Sequence, residues 1–517
     1  MAASGCTGLE THPSKPGEPA TGIPPFELDE ATLASLQDGM KSGKYSARAI
    51  TQLNLQRIEA IDKQGPSLHS VIEINPDALQ IADALDTERR SKGPRGPLHG
   101  IPVLLKDNID TADRMTTTAG SLALEGSIPQ QDSLVAKRLR EAGAIILGKA
   151  NLSEWANIRS TRSSSGWSAR GGQCRNPYVL DRNPCGSSSG SATATSANLT
   201  ALSVGTETDG SIVCPSGVCG IVGIKPTVGL IGRAGIVPIS HSQDTAGPMC
   251  RTVTDAAILL AGLRDPRTNA PDYLAFLDAN GLKGARIGVS RSDFGFNARV
   301  DKLMQNAIDV LKKGGAEVID PANIDSTKNI ADAEMEVLLY EFKSNLNTYL
   351  ASLGPKPAAK NLKEVIEFNE KHADRELQYF GQELFIQAEE KGPLTDAKYL
   401  EALRKNQQLA REQGIDAVMI KNKLDAIIAP TNGPAWVTDY LNGDHFAGSS
   451  STAPAVAGYP NVSVPCGYVS GLPIGISFFG RAWSEPTLIK IAFAYEQATR
   501  YRRPPRFLPT LDQVSSS

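Results

Sequence analysis

Ala285-Arg-Ile-Gly-Val-Ser290 is a short apolar run. It precedes Lys302–Lys313, a segment that carries Leu303, Ala307, Ile308 and Leu311 on one side; Gly314-Gly315 and a second run, Ala316-Glu-Val-Ile319, follow. Apolar residues three and four apart predict a helix, the paired glycines stop it, and the flanking runs predict strands. Strand, helix and strand in this order form a βαβ unit, whose two strands lie parallel because a crossover joins them. Repeated units of this kind predict an α/β fold, with a largely parallel sheet and helices on both faces.

The alternation continues on both sides of this unit. Gly100-Ile-Pro-Val-Leu-Leu-Lys-Asp-Asn108 is an apolar run ending in polar residues, which predicts a buried strand with Lys106 at its tip. A helix over Ser133–Ala142, stopped by Gly143, leads to a strand at Ala144–Leu147. Toward the N-terminus, Leu33, Leu36, Met40, Ile50, Leu53, Ile58 and Ile61 predict two helices between Leu28 and Asp62, broken at Gly43. Further strands are expected at Ala426–Ala429, Val462–Pro465 and Gly475–Phe479, with a last helix over Glu485–Thr499. From about 323 to 423 the pattern turns helical and highly charged, as an insertion covering one side of the core would be. The expected organisation is therefore a flexible tail over 1–24, one domain over 25–509 and a short tail over 510–517.

The chain has 517 residues, 40% hydrophobic and 21% charged, with 53 basic and 56 acidic side chains. That near balance provides no general attraction to nucleic acid or anionic lipid. No apolar stretch approaches the roughly 18 to 20 residues that span a bilayer, and the first thirty residues lack a signal-peptide core. The chain as written reads as soluble and cytoplasmic; Ser4-Gly5-Cys6 leaves open an exported protein whose leader is missing. Seven cysteines, Cys6, Cys174, Cys185, Cys214, Cys219, Cys250 and Cys466, are an odd and sparse set, which argues against an obligatory disulfide framework. Cys214 and Cys219 lack metal-site spacing and are expected to be small buried side chains, with no metal and no cofactor.

Chemistry concentrates between Asn176 and Arg251, where Gly, Ser and Thr dominate and charge is scarce. Small residues alone would suggest no more than turns. The ordered set of blocks is more specific: Gly100–Asn108, Cys185-Gly-Ser-Ser-Ser-Gly-Ser-Ala192, Glu207-Thr-Asp-Gly-Ser-Ile212, Gly220-Ile-Val-Gly-Ile-Lys-Pro-Thr227 and Asp244-Thr-Ala-Gly-Pro-Met249. With Ala457–Pro465 and Gly471–Gly475 near the end, the chain resembles the amidase signature family from about residue 26 onward, the signature core spanning about 95–255. The resemblance implies a large mixed twisted β-sheet sandwiched between helices. It also implies Ser211 as nucleophile, Ser187, preceded by a cis peptide bond, as proton bridge, and Lys106 as base.

Four positions depart from the commonest pattern of the family. Cys185 and Ser189 stand where glycines are usual, Asp209 replaces the first of two glycines before the nucleophile, and Val213 replaces a frequent arginine. Together with Gly171–Pro177 and Asp181–Pro184, these changes resemble the bacterial peptide amidases, which remove the amide from C-terminally amidated peptides.

The chemistry requires what this resemblance implies. An amide needs an activated nucleophile, a place for the oxyanion and a proton for the departing nitrogen. A lysine with its ordinary pKa near 10.4 is cationic at neutral pH, so Lys106 must be held neutral by burial. Backbone N–H groups of Thr208, Asp209, Gly210 and Ser211 are the expected oxyanion donors. Ser188 and Glu207 are expected to support them, with Ser188 bonding to Ser187 or Glu207. None of the six histidines is needed; Lys225-Pro226 is expected to brace a turn, and Asp244 to position that loop or to bind a substrate group. Leu338, Leu339, Tyr340 and Phe342, with Trp155 and Gln173, are candidates for the acyl pocket.

The expected substrate is a small-molecule or peptide amide, with no obligatory protein partner. Aryl acylamides, esters and carbamates remain open as substrates, as does the role of the glutaminase component of a tRNA-dependent amidotransferase. An inactive binding scaffold is the reading from a different class.

Overall fold

The computed structural model describes residues 23–511. The tails expected over 1–24 and 510–517 lie outside the described residues at 1–22 and 512–517. Among the described residues, thirteen strands occur in chain order: β1 (Val71–Ile74), β2 (Pro102–Lys106), β3 (Ile145–Ala150), β4 (Trp167–Ser168), β5 (Gly172–Gln173), β6 (Leu202–Glu207), β7 (Val222–Lys225), β8 (Thr245–Cys250), β9 (Arg286–Val289), β10 (Glu317–Ile319), β11 (Ala426–Pro430), β12 (Asn461–Val469) and β13 (Leu472–Phe479). β4 and β5 pair only with each other.

The other eleven form one sheet in the order β1-β3-β2-β6-β8-β7-β12-β13-β11-β9-β10. The predicted βαβ unit is present, with β9 and β10 parallel and joined by the helix Ala298–Lys313. The expectation of a largely parallel sheet needs correction. β2 is parallel to β3 and β6, and β9 to β10 and β11, but every other neighbouring pair is antiparallel. The sheet is mixed, as the resemblance implied, because its centre is built from chain reversals between β6, β8, β7, β12 and β13 rather than from helical crossovers.

The centre of the sheet is dry. All residues of β2, β3, β6, β8, β11 and β13 are buried, so these strands present no alternating pattern. Helices cover both faces; Ser189–Ser196, for example, is buried at every position. Its side chains are all small, which lets its backbone approach the strands: a Cβ added at Gly190 would stand 2.3 Å from the Ser70 carbonyl oxygen. Among the described residues, no helix is long and apolar enough to cross a membrane.

Between 331 and 422 the chain is mainly helical and packs beside the segment 154–161. The fastening is an ion cluster around Arg159, a fully buried residue. Its guanidinium meets Glu154 and Glu376 and lies over the ring of Phe380, 4.2 Å from the centroid. Glu376 also accepts from the Leu122 N–H at 2.8 Å, tying the helical region to the core. Glu376→Ala would leave a buried guanidinium with a single carboxylate partner, and should destabilise the protein by about 3 to 5 kcal/mol. Urea unfolding of the variant beside the parent measures this.

Candidate active site

β2 ends at Lys106 and delivers its side chain into a wholly buried position. Nζ lies 2.7 Å from Ser187 Oγ, 2.9 Å from Thr206 Oγ1 and 3.2 Å from the Thr206 carbonyl. Three partners suit a neutral amine, which has two N–H donors for Thr206 and one lone pair for the Ser187 hydroxyl. Asn108 donates to the same Thr206 hydroxyl at 2.9 Å, fixing its orientation. Burial pushes the Lys106 pKa down to about 7, against the opposing pull of Glu207 and Asp244. Desolvation thus exceeds the attraction of the two nearby acids and moves the amine toward its neutral form.

Ser187 follows a cis peptide bond after Gly186 and precedes the helix Ser189–Ser196. Its carbonyl accepts from the Ser153 N–H at 3.0 Å. Ser211 lies beyond the end of β6, where the turn passes through Gly210 at φ +76°. The Ser188 N–H donates to the Ser211 carbonyl at 3.1 Å, holding the two serine segments together. Ser211 is 8% exposed and lines a cavity, whereas Ser187 and Lys106 are wholly buried.

That cavity has a volume of about 470 Å³. Thr208, Asp209, Gly210 and Ser211 line one wall. Among the described residues, no acceptor takes the backbone N–H of Asp209, Gly210 or Ser211, whereas those of Ile212 and Val213 are both bound by Glu207 Oε2 at 2.7 and 3.0 Å. Glu207 thus shapes the turn and leaves the preceding donors free toward the cavity. Thr208 Oγ1 donates to Asp244 at 2.6 Å, and the other oxygen of Asp244 accepts from the N–H groups of Ile239 and Ser240. Lys225 donates to the carbonyls of Pro226 and Tyr459 and bridges β7 to the chain before β12.

The structure departs from several expectations. The Ser188 hydroxyl donates to the Thr206 carbonyl at 3.0 Å and accepts from the Thr206 N–H at 3.2 Å, so it bonds to neither Ser187 nor Glu207. Leu338 lines the cavity, but Leu339 and Phe342 lie in the core and Tyr340 packs on Tyr399. Trp155 packs edge-on against Phe385, and Gln173 faces a different cavity. A helix presents only one stripe to a given space, so neighbours along Glu336–Tyr349 point elsewhere. Among the described residues, no histidine lines the cavity.

Sequence reasoning missed Ser449, Ser451 and Thr452 and the residues Met335, Trp436, Asp444 and Phe446, which also line the cavity. The run of four hydroxyl residues at 449–452, just before the block at Ala457, was a usable signal. A disulfide was missed as well. Cys185 and Cys214 are bonded, with Cα atoms 6.2 Å apart, and both line the cavity. Cys214 is therefore not the free buried thiol expected, because 29 residues of chain fold back to bring the two segments together. Closing a loop of that length should contribute about 3 to 4 kcal/mol. Reduction should lower the unfolding midpoint accordingly, and a Cys185→Ala, Cys214→Ala double variant should unfold at the lower midpoint with or without reductant.

The geometry places a buried lysine and its serine partner behind a cavity lined by a second serine, and comparison with known proteins gives the class of the chain. The amidase family model matches residues 49–489, and the chain belongs to that family, that of the amidase signature. The native peptide amidase of Stenotrophomonas maltophilia is 49% identical, with a TM-score of 0.89 over 93% of this chain and all of that one. A probable amidase of Arabidopsis thaliana is 46% identical over 93% of each chain. A glutamyl-tRNA(Gln) amidotransferase subunit of Thermoanaerobacter pseudethanolicus is 34% identical over 93% of this chain and 99% of its own. The protein is an amide-hydrolysing enzyme with the fold that the resemblance implied.

Proposed function

We propose that the enzyme hydrolyses C-terminal peptide amides, or closely related linear amides, through an acyl-enzyme on Ser211. The observation that carries this reading is the fully buried Lys106, 2.7 Å from Ser187 Oγ, behind a cavity lined by Ser211. Ser211 attacks the amide carbonyl and its proton passes through the Ser187 hydroxyl to the neutral Lys106 amine. The backbone N–H groups of Thr208, Asp209, Gly210 and Ser211 receive the negative oxygen. Collapse of the intermediate returns the proton through Ser187 to the departing nitrogen, which leaves as ammonia. Water then takes the place of the amine, gives its proton to the same relay, and releases the carboxylic acid.

The substrate assignment draws on two supports. The similarity to a peptide amidase runs nearly end to end at 49% identity. The cavity lining also includes the apolar side chains of Met335, Leu338, Trp436 and Phe446, which suit contact with an amino-acid side chain. A glutaminase must instead hold the α-carboxylate of glutamine, and among the described residues no lysine, arginine or histidine lines this wall. Release of ammonia from peptide amides and from glutamine, and of aniline from an anilide, tests the assignment. Turnover of peptide amides with neither of the others is expected. Preference for the anilide or for glutamine would overturn the substrate class.

A further inference from the structure

The cavity above Ser211 contains two charged side chains, Asp209 and Asp444, and they differ in what holds them. Asp444 is engaged on both oxygens: Trp436 Nε1 and Asn183 Nδ2 donate to Oδ1 at 3.0 and 3.3 Å, and the Ser165 N–H donates to Oδ2 at 3.0 Å. It braces the wall. Asp209, two residues before the nucleophile, accepts from Thr452 Oγ1 at 2.8 Å on Oδ2, and the Ser451 hydroxyl lies close to the carboxylate, while Oδ1 is buried with no partner at hydrogen-bond geometry among the described residues.

Burial raises the pKa of Asp209, and the hydroxyls of Ser451 and Thr452 and the charge of Lys225 draw it back. Lys225, the cation nearest in effect, stands off the cavity wall, donates to two carbonyls and also faces Glu207 and Glu485. Behind Asp209 lies Glu334, which accepts from Gln243 Nε2 at 2.9 Å. Burial and the neighbouring Asp209 push the Glu334 pKa up, so the pair resists carrying two charges at once. A buried carboxylate oxygen without a partner is a strong hydrogen-bond acceptor and, when ionised, a strong repeller of other anions.

We infer that Asp209 is a specificity-determining residue of this site. Its carboxylate selects acyl groups with an N–H donor or a positive charge beside the scissile carbonyl, as the α-nitrogen of an amino-acid amide provides, and rejects acyl groups that carry a carboxylate. The inference rests on the peptide-amide reading and adds the feature of the substrate that the site recognises. It also bears on turnover, since hydrolysis replaces a neutral amide by a carboxylate in the same wall and the product is repelled.

Three amides separate these contributions: N-acetyl-alaninamide; O-acetyl-lactamide, in which the N–H is replaced by an oxygen of similar shape; and succinamate, which carries a carboxylate. The parent enzyme should favour the first over the second by about tenfold in kcat/KM, and over succinamate by about a hundredfold or more. Asp209→Asn should reduce the discrimination against succinamate to within about tenfold, chiefly through KM. Thr452→Val, which frees Asp209 to move, should weaken both preferences if the first variant folds poorly. Equal ratios in the parent and Asp209→Asn, or a parent that does not discriminate, would overturn the role of Asp209 while leaving peptide-amide hydrolysis standing. Absence of turnover of any of the three by the parent, with glutamine or anilide turned over instead, would overturn the peptide-amide reading and this inference with it.

Discussion

Replacing Ser211 by alanine should lower kcat/KM for amide hydrolysis by on the order of 10⁴- to 10⁶-fold, with the far-ultraviolet circular dichroism unchanged. The size follows from the role, because without an oxygen at this position no acyl-enzyme forms and the remaining donors only polarise the carbonyl for attack by water. The substitution removes one hydroxyl at the edge of a cavity, where Ser211 is 8% exposed. Its backbone bonds remain, since the Ser188 N–H donates to the Ser211 carbonyl and not to the side chain. A small effect on stability with a large effect on rate distinguishes this reading from a structural serine.

Replacing Lys106 by alanine should cost on the order of 10³- to 10⁴-fold in kcat, and the parent should show a matching pH dependence. Burial lowers the Lys106 pKa from 10.5 to about 7. Below that value the amine holds a proton and cannot accept another, so kcat/KM should rise with pH through about 7 and level off once the amine is neutral. Lys106→Ala should lose that limb together with the activity. Lys106→Arg should be inactive across neutral pH, because guanidinium stays charged even where desolvation is severe. Turnover of Lys106→Ala within tenfold of the parent would show that another group accepts the proton.

Much of the frame was legible in sequence where a pattern had only one physical reading. The two opening helices divide near Gly43, which adopts φ +77° beyond the end of Leu33–Lys41, and the last helix runs over Glu485–Thr499 as its spacing predicts. Lys106 stands at the tip of β2 because an apolar run of buried positions ends there in polar residues. The middle of the sheet was not legible. Leu202-Ser-Val-Gly-Thr-Glu207 and Thr245-Ala-Gly-Pro-Met-Cys250 are buried at every position, yet contain too many small and polar residues to form an apolar run or an alternation. Those two strands pair with each other antiparallel, so the parallel pattern inferred from the outer βαβ unit did not extend to them.

The site divides along the same line. Lys106, Ser187, Ser188, Glu207 and Ser211 lie within ordered blocks of sequence, and the fold brings them to one place. Thr206 is reached by Lys106 because β6 runs beside β2, and its hydroxyl sits in a stretch of Ser, Thr and Gly with nothing to mark it out. Asp444 and Trp436 come from far beyond Ser211 in the chain, and no local period connects them to it. The Cys185–Cys214 bond has the same origin, since proximity between distant segments is a property of the sheet order and not of spacing.

The most direct test is to trap the nucleophile. The enzyme is incubated with a fluorophosphonate, digested, and the modified residue located by mass spectrometry in the parent, Ser211→Ala and Lys106→Ala proteins. The mechanism predicts a single adduct on Ser211 in the parent, none in Ser211→Ala, and labelling of Lys106→Ala slowed by orders of magnitude. An adduct on another residue, with amide turnover surviving in Ser211→Ala, would contradict it.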